Sequence, residues 1–268
     1  MLIFPIIDPS GFLDGDTIET RAISAIAMSL SSQVLEANLA LNYFLEARSK
    51  MGGGSSSLEA RHDEWQRVAD ERREIEQSLR ADAGLNEFDR VDWDKLRVAV
   101  DIELLKRKVA RGQEPEGYTF HRPFLFAKSF AFYLDRIHRM VGACQHYEMS
   151  CAAAKAALSQ IDSQLPDLRE FRNSVAHFED RVRGRHKVRS ERKDIELKPL
   201  DTPMIKTDGG ALVLECMEND VFRSILADGT LGSIPIRAET MEVIQRAVQM
   251  FLDALPWKHS HARIVPKP

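Results

Sequence analysis

The chain is poor in cysteine: it has three, Cys144, Cys151 and Cys216, among 268 residues. Three cannot pair completely, and no two stand at zinc-ligand spacing with histidines nearby. Neither a disulfide scaffold nor a metal site is expected, and no cofactor is implied. A surplus of positive charge is also missing. Lys and Arg total 37 against 41 Asp and Glu, a formal net charge of −4, which excludes a uniformly basic nucleic-acid binder but leaves room for a local basic patch. No apolar run approaches the ~20 residues of a membrane span. The opening stretch Met1–Ile7 is apolar but lacks a basic flank, is interrupted by Pro5 and stops at Asp8. No signal peptide or membrane segment is expected, and a reducing cytoplasm fits the composition.

What the chain does have is helical periodicity. Hydrophobic residues make up 44% of it, enough for a core. Asp16 and Glu19 stand at capping-box spacing, and Ile23, Ile26, Leu30, Val34, Leu41 and Phe44 then recur at helical intervals to about Lys50. The stretch Gly52–Ser57 reads as a flexible linker or loop. A charged helix over 59–80, with a seam of Trp65, Val68, Ile75 and Leu79, is expected to fold back on the first helix. A third helix carries Trp93, Leu96, Val100, Leu104 and Leu105 and ends near Gly112. The segment 113–117 reads as a loop. Pro123 suits the first turn of a long helix that runs through Phe130, Leu134, Ile137, Val141 and Cys144 to about Gln160. His138 and His146 on its flanks have no evident partner.

The most informative stretch follows Pro166. Over 168–182 one helix is expected, with Leu168, Phe171, Val175, Phe178 and Val182 on a packed stripe and His177, Glu170, Asn173, Asp180 and Arg181 on the opposite side. It runs into the one concentrated positive feature of an acidic chain, 181–193, which holds Arg181, Arg183, Arg185, Lys187 and Arg189. Short apolar or alternating runs at 195–200, 211–217, 221–227 and 231–236, separated by Asp208-Gly209-Gly210, Glu218-Asn219-Asp220 and Asp228-Gly229, then predict antiparallel strands with tight turns. Val243, Ile244, Ala247, Val248, Phe251 and Leu255 mark a closing helix before Pro256. The expected architecture is therefore mainly α, an up-down helical bundle with a small appended antiparallel sheet near the C-terminus. It is read as a single domain over 1–268, with the bundle at 16–182, the basic segment and sheet at 183–236 and the closing helix at 237–255.

Arg172, Asn173 and His177 form an Arg-Asn-x-x-x-His pattern late in this bundle. It resembles the signature of the HEPN superfamily, an arginine with an adjacent polar residue and a histidine four to six positions beyond. Arg181 and His186 repeat the bare spacing, but Gly184 lies between them and the run is too charged to pack. The resemblance implies a bundle that pairs with a second copy so that both arginine-histidine sets face one cleft. It also implies RNA cleavage without a metal, by attack of the 2′-hydroxyl to give a 2′,3′-cyclic phosphate and a 5′-hydroxyl. His177 is then the general acid or base, Arg172 the group that stabilises the transition state and Asn173 an orienting residue, while Arg181, Arg183, Arg185, Lys187 and Arg189 attract the RNA backbone. The implied setting is a toxin or defence system, with an antitoxin or regulatory protein as a further partner. Some members of the superfamily serve only in interactions, so a non-catalytic dimer acting as an interaction or RNA-binding module is the alternative. A subgroup carries a modified tyrosine two residues after the histidine; here Phe178 and Glu179 follow His177.

Overall fold

The computed structural model describes residues 1–9, 11–52, 58–86, 89, 92–188, 191–258 and 262–267. Residues 53–57 of the glycine-serine stretch, Arg189 of the basic run, and His259 and His261 of the tail lie outside the described residues, and Lys187 is described by its backbone alone. In chain order the elements are β1 (Ile6–Asp8), β2 (Phe12–Leu13), α1 (Ile18–Gly52), α2 (Leu58–Asp82), α3 (Trp93–Ala110), α4 (Glu116–Ala143), α5 (Glu148–Gln164), α6 (Leu168–Ala176) and α7 (Phe178–Val182). There follow β3 (Arg185–Val188), β4 (Glu191–Asp194), β5 (Leu200–Asp201), β6 (Lys206–Thr207), β7 (Cys216–Glu218), β8 (Val221–Ile225), β9 (Leu231–Pro235), α8 (Ala238–Asp253), β10 (Trp257–Lys258) and β11 (Arg263–Val265). The chain divides into two compact units, 46–122 and the remainder. No helix among the described residues is long and apolar enough to cross a membrane.

In the larger unit, α1 is capped one residue later than the Asp16 and Glu19 spacing predicts. Thr17 N–H donates to Thr20 Oγ1 at 3.0 Å and Thr20 N–H to Thr17 Oγ1 at 3.1 Å, a reciprocal box made by two hydroxyls. Asp16 pairs with Arg21 instead, and Glu19 accepts from the Met149 N–H. The long helix expected from Pro123 differs at both ends. It starts at Glu116, which makes Pro123 an interior, buried residue that removes one helical donor. It also stops at Ala143. A short 3-10 turn over Cys144–His146 and extended backbone at Tyr147 redirect the chain into α5, and Ser150 Oγ donates to the Cys144 carbonyl at 2.7 Å to fix the corner. His138 does have a partner, Asp162 on α5, at 2.8 Å.

α5 presents Ala154, Ala157, Leu158 and Ile161 to the packed face of α8, where Met241, Ile244, Ala247, Val248 and Phe251 are buried. Alanines on one side and larger side chains on the other let the two helices approach closely. The sheet is smaller than expected: among the described residues only β7, β8 and β9 form a three-stranded antiparallel ladder. Residues 195–199 and 211–215 are not strands; Ile195 and Val213 pack as loop residues in a satellite core with Leu200 and Ile225. Two further ladders, β1 with β11 and β2 with β10, pair the two ends of the chain.

In the smaller unit, α2 was expected to pack on α1, yet its seam closes on α3. Val68, Ile75 and Leu79 meet Leu96, Val100 and Leu104, while Trp65 stays 67% exposed. Arg111 on the α3 side grips Glu71 with two hydrogen bonds of 2.8 and 3.0 Å.

Candidate active site around Arg172

Three contacts hold α6 in place. Ser233 N–H of β9 donates to Asp167 Oδ2 at 3.1 Å, just before the helix. Phe171 is fully buried and meets Phe222 of β8 edge to face, with ring centroids 5.2 Å apart, a preferred aromatic geometry. Leu168 adds a third buried anchor. With these fixed, Arg172 points toward α4.

There it meets Asp135, whose side chain is 1% exposed. One carboxylate oxygen, Oδ2, lies 3.3 Å from Arg172 Nε and 2.9 Å from Arg139 Nε. A carboxylate this deeply buried is tenable only beside positive charge, and the two guanidiniums supply it. Arg172 also donates from one terminal nitrogen to Asn173 Oδ1 at 3.1 Å, and its guanidinium carbon stands 5.9 Å from the Phe132 ring centroid, within cation-π range. Its side chain remains 25% exposed. Arg172 and Phe132 line a cavity of about 280 Å³ whose other walls include Tyr133, Phe171, Val175 and Ala176, with Lys128 and Ser129 as polar members. Lys128 is turned to Glu215 at 2.5 Å.

The expected single helix over 168–182 breaks at His177, where φ is −113° and ψ is 44°. The break changes which side chains are buried beyond it. Leu168 and Phe171 pack as expected, but Phe178 and Val182 are exposed, while Asp180 and Arg181, expected on the polar side, are 3% and 4% exposed. His177 itself is exposed, with its N–H on the Asn173 carbonyl at 3.1 Å and its own carbonyl accepting from Asp180 and Arg181. Among the described residues no hydrogen bond or ion pair engages its imidazole. Asn173 therefore contacts Arg172 by its side chain and His177 by its backbone.

The break also explains how the basic run is anchored. Arg181 turns inward, donating from Nε to Ser174 Oγ at 3.2 Å and from a terminal nitrogen to the Arg185 carbonyl at 2.8 Å; burial lowers its pKa against the opposing pull of Asp180 and Glu170. Asp180 accepts from Arg192 Nε at 2.8 Å. These bonds tie α7 to a hairpin of β3 and β4, in which Arg185 pairs with Asp194, His186 with Lys193 and Lys187 with Arg192 by register. Arg183 and Arg185 are exposed. His186, the histidine of the repeated spacing, has a buried Nδ1 with no hydrogen-bond partner among the described residues.

Asp135 escaped the sequence reading. Its signal was present: an acid directly after the buried Leu134 and one turn beyond the buried Ala131 of α4, with Arg139 a further turn on. Among the described residues no group of three or more His, Cys, Asp or Glu side chains could hold a metal ion. Comparison of the chain with protein-family profiles, with curated proteins and with solved structures finds no match.

Proposed function

We propose that the protein is an HEPN-like endoribonuclease of the toxin or defence kind, acting without a metal at a site shared by two copies of the chain. The observation that carries the reading is the pairing of unlike roles five residues apart in the chain. Arg172 is held by Asp135 and Asn173 yet partly exposed, and His177 is exposed with an uncommitted imidazole at the end of the same helix. A fixed guanidinium suits the developing charge of a pentacoordinate phosphorus. An accessible imidazole suits proton transfer near neutral pH.

In the reaction one imidazole takes the proton of a ribose 2′-hydroxyl. The oxygen attacks the adjacent phosphorus, the bond to the 5′ oxygen breaks, and a second imidazolium, from the other copy, protonates that leaving oxygen. Arg172 binds the phosphate oxygens throughout. The exposed Arg183 and Arg185, next along the chain from His177, attract the RNA backbone; Arg181 supports them from below by holding the Arg185 carbonyl.

A second reading has one observation in its favour. Asp135 already satisfies the charge of Arg172, as in a polar patch that serves an interaction module. The two readings part on labelled RNA incubated in EDTA. Cleavage by the wild type that is lost in His177→Ala supports the nuclease; no cleavage by either, or cleavage abolished by the chelator, rejects it.

A further inference from the structure

α3 carries two apolar faces and has only one known use for them. Leu96, Val100 and Leu104 pack against α2. Val98, Ile102, Leu105 and Val109 are 52%, 49%, 46% and 53% exposed. Their spacing of four, three and four is that of a heptad seam. At about 100° per residue this stripe spans roughly 60° and lies on the side of the helix opposite the α2-packed face. α2 shows no such doubling: its apolar residues form one seam, and its outer face is charged.

We propose that this stripe is an interface in which α3 pairs antiparallel with α3 of a second copy of the chain. The flanking charges select both the occupant and the direction. Asp94, Asp101 and Lys108 line one edge of the stripe, and Lys95, Ala99 and Lys106 line the other. In an antiparallel two-fold pair Ile102 faces Leu105 of the other copy and Val98 faces Val109, so like edges meet. Asp101 then stands beside Lys108 of the second copy, twice over by symmetry, and Lys106 stands beside Ala99, with no like charges opposed. A parallel pair would instead bring the two Lys95 side chains together at one end of the seam and align the helix dipoles. Asp101 also contacts Arg72 of its own chain, which leaves a second carboxylate oxygen for the contact. This surface includes no residue of the Arg172 site, and a cross-link between positions 102 and 105 reads this surface alone, so the two proposals are tested separately.

Cysteine mapping on the full chain tests it. In a Cys151→Ser, Cys216→Ser background, Ile102→Cys and Leu105→Cys are prepared as separate proteins, with Gln77→Cys as a control off the stripe. Under mild oxidation a mixture of the first two should give a cross-linked dimer. Each alone, and the control, should give at most background, because 102 faces 105 only in the antiparallel register. Leu105→Glu, checked for unchanged helix content, should weaken self-association at least about tenfold by light scattering. Absence of the mixed cross-link, cross-linking of Ile102→Cys with itself at equal yield, or unchanged association of Leu105→Glu would overturn the proposal.

Discussion

Arg172 Nε on α6 lies 3.3 Å from Oδ2 of Asp135 on α4, a carboxylate with 1% of its side chain exposed. The relationship gives Arg172 a buried counter-charge, and it does so from a residue 37 positions earlier in the chain.

Removing the anchor should therefore be felt in stability. Asp135→Ala leaves Arg172 and Arg139 without their shared counter-charge. Because both arginines reach water, the loss is expected at about 1–3 kcal/mol rather than the larger figure for a fully buried pair. Urea unfolding measures it. A cycle with Arg172→Ala should return a favourable coupling of about 1 kcal/mol, whereas additive effects would show that the two do not interact.

The seating of α6 depends on aromatic burial. Phe171→Ala should destabilise the larger unit by about 3–5 kcal/mol, since the ring is fully buried against Phe222. Val182→Ala, at an exposed position of α7, should change stability by less than about 0.5 kcal/mol. Similar losses at both sites would contradict the break at His177.

Acid should weaken the α2–α3 pair through Glu71. The Arg111 guanidinium, by hydrogen bond and then by charge, holds this carboxyl below its ordinary value of 4.5. A carboxyl lowered in the folded state contributes fully above its unfolded value and loses that contribution as pH falls through the folded one. The melting temperature of the wild type should exceed that of Glu71→Gln at pH 6, and the gap should close toward pH 3. A gap that widens in acid would contradict the assignment.

Burial pushes the Cys144 thiol up to about 11. Thiolate is the reactive form, so at pH 8 the native protein should leave Cys144 unmodified by iodoacetamide, and denaturant should expose it. Rapid native alkylation at Cys144, read by peptide mass, would contradict the corner at 144–147.

How much of this was legible in the sequence depends on whether a residue's environment was local. The 3.6-residue period placed α1, α3 and α8 closely, because each has an unbroken apolar stripe. It failed where tertiary bonds decide the outcome. The stripe drawn through Phe178 and Val182 continued a helix that ends at Ala176, and the burial of Asp180 and Arg181 depends on Ser174, Arg185 and Arg192. The β3–β4 hairpin was hidden by its charge, since strands are usually recognised by β-branched and aromatic residues; here Arg185 and Asp194 face each other across it. Arg172, Asn173 and His177 could be picked out from spacing and context, but Asp135 could be tied to Arg172 only once α4 and α6 were placed side by side.

The most direct test of the nuclease reading is a single-turnover measurement on 5′-labelled RNA, comparing wild type with His177→Gln, a variant at an exposed position whose melting temperature should match the wild type. The account predicts products ending in a 2′,3′-cyclic phosphate and a rate lowered about 10²–10⁴-fold in the variant. Equal rates in the two proteins, or products with a 5′-phosphate, would contradict it.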